Sequence, residues 1–490
     1  MRRAAFGRAL ALATALAAVA APAVLAADWP LANGDLSSTR AATGSPITPS
    51  SVGRLVERWR YRIRGPGTDF GQLTATPVVV GQTVYLQTWK SDVVALDRRT
   101  GRVRWSRNTT APNDGPNGVA VVGGRVFAAT DTTAFALDAR TGKDLWALRL
   151  ADRNEQFVDI APVVDRGRVY YSTVGFPPGG RGAVYALDAR TGRRAWKFDT
   201  VAKPWPHVDA GGGGAWNPVS VDSQGRVYVG TANPGPWGGT PGYPNGGWFR
   251  GSTLYTDSLV VLEGATGKLV WYDQVLAHDV RDYDFHVSPV LASVGDDDRP
   301  MVFGAGKAGL VIAWDRQTRE RVWERPVGRH LNDIGPLPRR KTLVCPGLFG
   351  GVLSPMAYAD GTLFVPVLDL CMRESAITSE SVLQRPATQG TGIVYALDAA
   401  TGDVRWTHRA RSPLFGCTTV SRDVVFAPSF DGTIRGLSTE TGKVLWQARL
   451  GAGINSCPAI VDDLLLVGAG APRSDGKKRI AELVAYGIGR

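Results

Sequence analysis

Short apolar runs broken by turn residues recur along this chain, and one eleven-residue pattern returns seven times. It reads ALDRRTGRVRW ending at Trp105, ALDARTGKDLW at Trp146, ALDARTGRRAW at Trp196 and VLEGATGKLVW at Trp271. It continues as AWDRQTRERVW at Trp323, ALDAATGDVRW at Trp406 and GLSTETGKVLW at Trp446. In the first copy, Val93 to Leu96 predicts a strand entering a tight turn. There Asp97 and Thr100 bond the turn's own amides, and Gly101 takes a positive φ. The return strand is expected to end at Trp105, whose large apolar area packs against the next unit. Strand-like runs upstream, at 76–80 and 84–87 and again at 119–122 and 125–128, bring each unit to about four antiparallel strands. That is a propeller blade.

The repeat tryptophans are spaced 40 to 83 residues apart. The minimum is a bare blade and the larger gaps are insertions, longest at 203–256 and 327–390. These hold most of the Gly/Pro-rich loop sequence, including GGGG at 211–214. Loops inserted on one face of a repeat fold usually build its functional surface. Residues 28–51 read as an irregular arm, and RWRYR at 58–62 as a lone strand. After Trp446, the segments 457–467 and 482–488 supply all but the last strand of another blade. The strand around Trp59 fills that place. The expectation is an all-β, eight-bladed β-propeller of four-stranded antiparallel blades, its ring closed by the N- and C-terminal strands, which leaves no open edge. Seven blades is the alternative if the final unit is incomplete.

Composition adds compartment and narrows partners. The chain has 490 residues and a formal net charge of +12, much of it arginine in the repeat turns (Arg98, Arg99, Arg102, Arg193, Arg194). This reads as a solvated rim, and no basic helix or nucleic-acid motif accompanies it, so no nucleic-acid partner is expected. Residues 1–27 read as a signal peptide: Arg2, Arg3 and Arg8, an apolar run, then small residues around Val24-Leu25-Ala26. The apolar run is too short for an integral membrane segment. The expected product is a periplasmic or extracellular protein with one propeller domain, 28–490. An exported chain with four cysteines can form two disulfides, and the preferred pairing is Cys345–Cys371 and Cys417–Cys457. The latter two fall at the same phase of consecutive blades; two buried thiols are the alternative.

The fourth copy departs from the others. After Trp271 the usual turn gives way to Asp273, His278, Asp279, Arg281, Asp282, Asp284 and His286. A repeated scaffold with one copy elaborated by acids and histidine is where a site is most easily built. The plainer readings are that Asp282 and Asp284 are solvated or turn-forming acids, and that Asp279 and Arg281 form a local ion pair. His278 and His286 lie in no metal-ligand spacing and read as structural.

The repeat, together with TANPGPW (231–237), LYTDSLVVL (254–262), AHDVRDYDFHVSPVL (277–291), GKAGLVIAWDR (306–316) and CPGLFGGVLSPMAY (345–358), resembles the eight-bladed quinoprotein alcohol dehydrogenases. The resemblance runs from Trp29 to about Gly468. That family uses pyrroloquinoline quinone (PQQ) with calcium. The resemblance implies that Asn233 binds calcium, that Asp282 is the catalytic base and a calcium ligand, that Lys307 contacts the quinone carbonyls and that Trp216 stacks on the quinone. Read without it, Asn233 forms the turn before Pro234, Lys307 is an exposed loop lysine and Trp216 packs between blades. Several family positions differ. Pro177 stands where the second calcium carboxylate is expected, Ala111-Pro112 where vicinal cysteines cap the quinone, and Asn117 where an arginine follows. Thr74 replaces an early glutamate and Arg281 a tryptophan. The implied activity is oxidation of an alcohol, sugar or polyol, with electrons leaving to a separate acceptor such as a cytochrome, because no C-x-x-C-H haem motif occurs. The alternative is a non-catalytic propeller serving as an envelope or extracellular binding and assembly scaffold.

Overall fold

The computed structural model describes residues 28–489 apart from 66, 69, 112, 114, 116, 153–154, 176–178, 204–210, 248–250, 378–388 and 478. The expected signal peptide, Pro112 and Pro177 therefore lie outside the described residues. Eight antiparallel sheets follow one another along the chain, each with four strands, the third carrying one extra short strand. The eighth pairs Leu55–Arg62 with Glu482–Ile488, then Leu464–Ala469 and Ala459–Val461. The two chain ends thus share one blade, and the seven-bladed alternative is excluded.

The repeat works as its residues dictate. In blade 1 the Asp97 carboxylate accepts from the amides of Arg99 (3.1 Å) and Thr100 (2.9 Å) and from the Thr100 hydroxyl (2.9 Å). The strand containing Trp105 runs on to Arg107 rather than stopping at the indole. The indole N–H of Trp105 donates to Ala139 of the next blade at 3.0 Å. Gly142, in that blade's turn, has φ +72°, and a Cβ there would lie 2.5 Å from the Trp105 ring. Each such joint is therefore a tryptophan lid on a glycine turn. Two joints break the rule: between blades 7 and 8 the Trp446 ring meets Tyr486 edge-on at 5.3 Å, and the joint between blades 4 and 5 also lacks the glycine. Arg319 takes the left-handed turn position without being glycine (φ +68°), and the Trp271 indole N–H finds no acceptor.

The N-terminal segment is more than an irregular arm. Its backbone visits the inner strands in blade order. Trp29 exchanges bonds with Val79, Pro30 accepts from Val121, Leu36 from Val221, Ser37 from Leu291, Thr39 from Tyr358 and Arg40 from Val420. The Ser45 hydroxyl then donates to Asp462 in blade 8. Inner-strand edges that would otherwise be unpaired are satisfied by this thread. Arg40 anchors it. Fully buried, its guanidinium donates to the carbonyls of Ala32, Thr418 and Pro458 and to Asn33 and Thr419. Burial lowers its pKa to about 9, against the pull of Asp35, so it is charged at neutral pH.

Both expected disulfides form, Cys345–Cys371 and Cys417–Cys457. The second sits two residues before the inner strands Thr419–Ser421 and Ala459–Val461 and ties blade 7 to blade 8.

Candidate active site

In an antiparallel blade, the segment entering the inner strand and the segment leaving the second strand meet at the same end of the sheet. Trp216 precedes the inner strand Ser220–Val221 of blade 4, and Asn233 follows its second strand Arg226–Gly230. Asp282 precedes the inner strand Val290–Val294 of blade 5, and Lys307 follows its second strand Arg299–Ala305. All four candidates therefore gather at one end of two adjacent blades.

Three of them form one network. The Lys307 ammonium donates to Asp282 and Asp284 at 2.6 Å each. The backbone N–H of Asn233 donates to the other oxygen of Asp284 at 2.8 Å. The GKAG turn lies directly on the 283–284 backbone, with Lys307 N–H donating to Asp284 O (3.0 Å) and Ala308 N–H to Tyr283 O (3.2 Å). Only glycine fits at 306, because a Cβ would come 2.1 Å from the Asp284 carbonyl oxygen. Lys307 is thus no exposed loop lysine, being only 9% accessible. Asp282 and Asp284 are also buried, which corrects their reading as solvated acids. Asp282 has φ +61°, a left-handed position that Asp tolerates better than most residues.

Trp216 is brought alongside by backbone pairing. Gly213 N–H donates to Asn233 O (2.8 Å) and Ala232 N–H to Gly214 O (2.7 Å). The GGGG segment permits this approach, since a Cβ on Gly212 would lie 2.4 Å from the Asn233 oxygen. The Trp216 ring meets that of Phe157 edge-on at 5.9 Å.

Asp279 and Arg281 do not form the expected ion pair. The Asp279 carboxylate accepts instead from the backbone amides of Arg281 (2.7 Å) and Tyr283 (2.5 Å), shaping the turn that presents Asp282. The Arg281 guanidinium reaches away to the carbonyls of Gly335 and Asn332. The Tyr283 hydroxyl donates to Pro346 O at 2.9 Å, beside the Cys345–Cys371 bridge. His286 lies between the carbonyls of Asp284 and Leu353, and burial lowers its pKa, so it is neutral and structural. Asn117 also has a structural partner, donating to Thr88 O at 3.1 Å.

The electrostatics are dominated by burial. Burial pushes the Asp282 carboxyl well above the usual carboxylate range, against the pull of Lys307, and Asp284 adds to the rise. Asp279 is raised to about 6 by burial, opposed by the two amides it caps. Burial alone would lower the pKa of Lys307, but the charges of Asp282 and Asp284 outweigh it, and the ammonium is held firmly charged. Two further acids were not singled out as candidates. Asp257 is fully buried, and neither carboxylate oxygen has a hydrogen-bond partner. Glu374, on the hairpin strand Met372–Glu374, is pushed to about 7 by burial despite Arg281 nearby, and its Oε1 is unpartnered. Sequence carried no signal for either burial. Asp257 reads as an ordinary residue entering a strand.

Two aspartates, 282 and 284, therefore hold the single ammonium directly, while Asp257 and Asp279 add their charges to the same neighbourhood. The orphaned oxygens of Asp257 and this excess of carboxylate fit a hard cation, whose ligands of choice are oxygens. Among the described residues no three His, Cys, Asp or Glu side chains converge as a ready metal cluster. A cation here would draw on few carboxylates and on carbonyl or amide oxygens.

Comparisons with known proteins agree with this frame. The sequence matches the family described as glucose/ethanol/alcohol dehydrogenase, β-propeller domain, over residues 29–122 and 172–331, just over half of the chain. Residues 307–483 also match the outer membrane protein assembly factor BamB family. The quinohemoprotein alcohol dehydrogenase of Comamonas testosteroni is 28% identical over 507 aligned positions, covering 88% of this chain and 70% of that protein. The lanthanide-dependent methanol dehydrogenase of Methylacidiphilum fumariolicum is 25% identical, covering 88% and 82%. The solved structure of a europium-containing methanol dehydrogenase superposes with a TM-score of 0.81 at 21% identity, over 94% of this chain and 98% of that one.

Proposed function

Because the chain belongs to the glucose/ethanol/alcohol dehydrogenase β-propeller family, we propose that it is an exported dehydrogenase that oxidises an alcohol, sugar or polyol by hydride transfer to bound PQQ. The observation that carries this reading is the buried Asp282–Lys307–Asp284 network beside Asn233. A carboxylate held in a dry, charged cluster at the end of the blades is a suitable base for a substrate hydroxyl.

In this reading Lys307 and the Trp216 ring hold the quinone, and Asn233 and Asp282 help hold its calcium. When bound, the quinone with its cation supplies the hydride acceptor. Asp282 takes the hydroxyl proton on a carboxylate oxygen. Burial favours the protonated form, so the acid retains the proton once it has it. Lys307 opposes that tendency at rest and keeps Asp282 able to accept, while Asp284 and the Asn233 amide fix the position of the lysine. The Asp279 caps on Arg281 and Tyr283 hold the turn rigid, so Asp282 needs no reorganisation to reach its substrate. Electrons leave to a separate acceptor such as a cytochrome.

Reconstitution with PQQ and Ca²⁺ tests this. Expected are stoichiometric quinone absorbance and dye-linked oxidation of members of an alcohol and sugar panel. A folded protein that binds no quinone at saturating cofactor refutes it. The match of residues 307–483 to the assembly factor family favours a second reading, a non-catalytic binding scaffold in the envelope. Ala111, where the resemblance places the first of two vicinal cysteines capping the quinone, and Asn117, where it places an arginine, point the same way. A quinone-free but stable propeller would leave that reading standing.

A further inference from the structure

Asp257 sits at the entry to the blade 4 strand Ser258–Glu263, in a left-handed conformation (φ +48°). Its backbone is pinned on both sides. Its N–H donates to Ala232 O at 3.0 Å, and its carbonyl accepts from Val275 at 2.8 Å. The side chain is fully buried, and both oxygens lack a hydrogen-bond partner. The charges that act on it are those of Asp279, Asp284 and Asp282 and, in the opposite sense, that of Lys307. None is free to satisfy it. Lys307 is committed to Asp282 and Asp284 at 2.6 Å each, and Asp279 to two backbone amides. A buried carboxylate facing other carboxylates and no donor is among the costliest arrangements in a protein interior, unless a proton or a cation joins it. An unpartnered carboxylate supplies oxygen ligands, which suits a hard, calcium-class cation. Its neighbour across the backbone bond is Ala232, next to Asn233, so the acid adjoins the segment already carrying an amide oxygen.

We propose that Asp257 is a carboxylate ligand of a calcium-class cation bound where blades 4 and 5 meet. The proposal rests on the dehydrogenase reading of the same site, yet it makes a claim about the protein alone. The cation site belongs to the quinone-free chain.

Calcium chloride titrated into chelator-treated, quinone-free protein tests it, read by calorimetry and by the thermal midpoint. Wild type is expected to bind calcium and to melt higher as calcium rises. Asp257→Asn should bind at least about tenfold more weakly. Its calcium-free midpoint should match or exceed wild type, because the amide removes an unpaired buried charge. Asp403→Asn, whose side chain is 73% exposed on another blade, should bind as wild type does. No calcium binding by folded wild type overturns the proposal without reference to any variant. So does equal affinity in Asp257→Asn, which would mean that the acid is simply protonated. PQQ absorbance on the same preparations separates the two claims. Asp257-dependent calcium binding without quinone binding sinks the dehydrogenase reading alone. Quinone binding with calcium indifferent to Asp257 sinks the ligand assignment alone.

Discussion

Replacing Lys307 with methionine removes the one ammonium between two buried carboxylates while keeping most of the side chain's volume. Lys307 is 11% exposed in its side chain, Asp282 12% and Asp284 2%, so solvent offers little compensation. Breaking a buried pair by deleting one partner costs about 3–5 kcal/mol, because a charge is left without its counter-charge. Asp284 keeps the Asn233 amide, whereas Asp282 loses the lysine that favours its anion. The cost should depend on pH, with a definite sign. Burial already raises the Asp282 carboxyl in the folded protein, and removing Lys307 raises it further. A carboxyl whose folded pKa is raised holds its proton more tightly folded than unfolded. Stability is therefore kept below the unfolded value of about 4 and lost as pH rises toward the folded value. The deficit of Lys307→Met against wild type should be small near about pH 4 and reach about 3–5 kcal/mol above neutrality. Denaturant unfolding of both proteins at about pH 4.5 and about pH 7.5 measures it. A deficit of equal size at both values, or one under about 1 kcal/mol at the higher, would refute the view that these acids depend on this lysine.

Other perturbations separate chemistry from scaffold. Asp282→Asn should abolish dehydrogenase activity in the reconstituted protein and leave the thermal midpoint nearly unchanged; a large fall in midpoint would mark Asp282 as structural. Arg40→Met should strip donors from the buried carbonyls of Ala32 and Thr418 and cost about 2–6 kcal/mol in denaturant unfolding, at about 1–3 per orphaned group. A loss under about 1 kcal/mol would mean that the arm is not anchored there. Gly142→Ala should cost more than Gly123→Ala. Both have positive φ, but a Cβ at 142 meets the Trp105 ring while one at 123 meets nothing within 4 Å. Equal melting temperatures for the two would refute the tryptophan-on-glycine joint.

The fold was legible because its determinants are local. The Asp-x-x-Thr-Gly turn, the alternating strands around it and the tryptophan each act within a few residues or against the adjacent repeat. Repetition made that signal additive. The closing blade was legible too, since Glu482–Ile488 lacked an outer partner and the strand around Trp59 lacked an inner one. The arm was legible only as non-repeating sequence. Its role as a thread across six of the eight inner strands and the turn after that of blade 8 depends on the ring being closed, which no segment of the arm encodes by itself.

The site divides in the same way. Sequence by itself singled out the fourth copy and the loop leaving it, and through the family resemblance it offered Asp282, Lys307, Asn233 and Trp216 as candidates. Antiparallel topology followed from the repeat. It did not determine that Lys307 bridges Asp282 and Asp284, that Asp279 caps a turn rather than pairing with Arg281, or that Asp257 is buried without a partner. The lysine bridge depends on how two segments of blade 5, 23 and 25 residues apart, are folded together, and the burial of Asp257 on how completely the packed ring excludes water. Charge type is written residue by residue. Desolvation and counter-charge belong to the packed ring, and they decide which of these acids are available for chemistry.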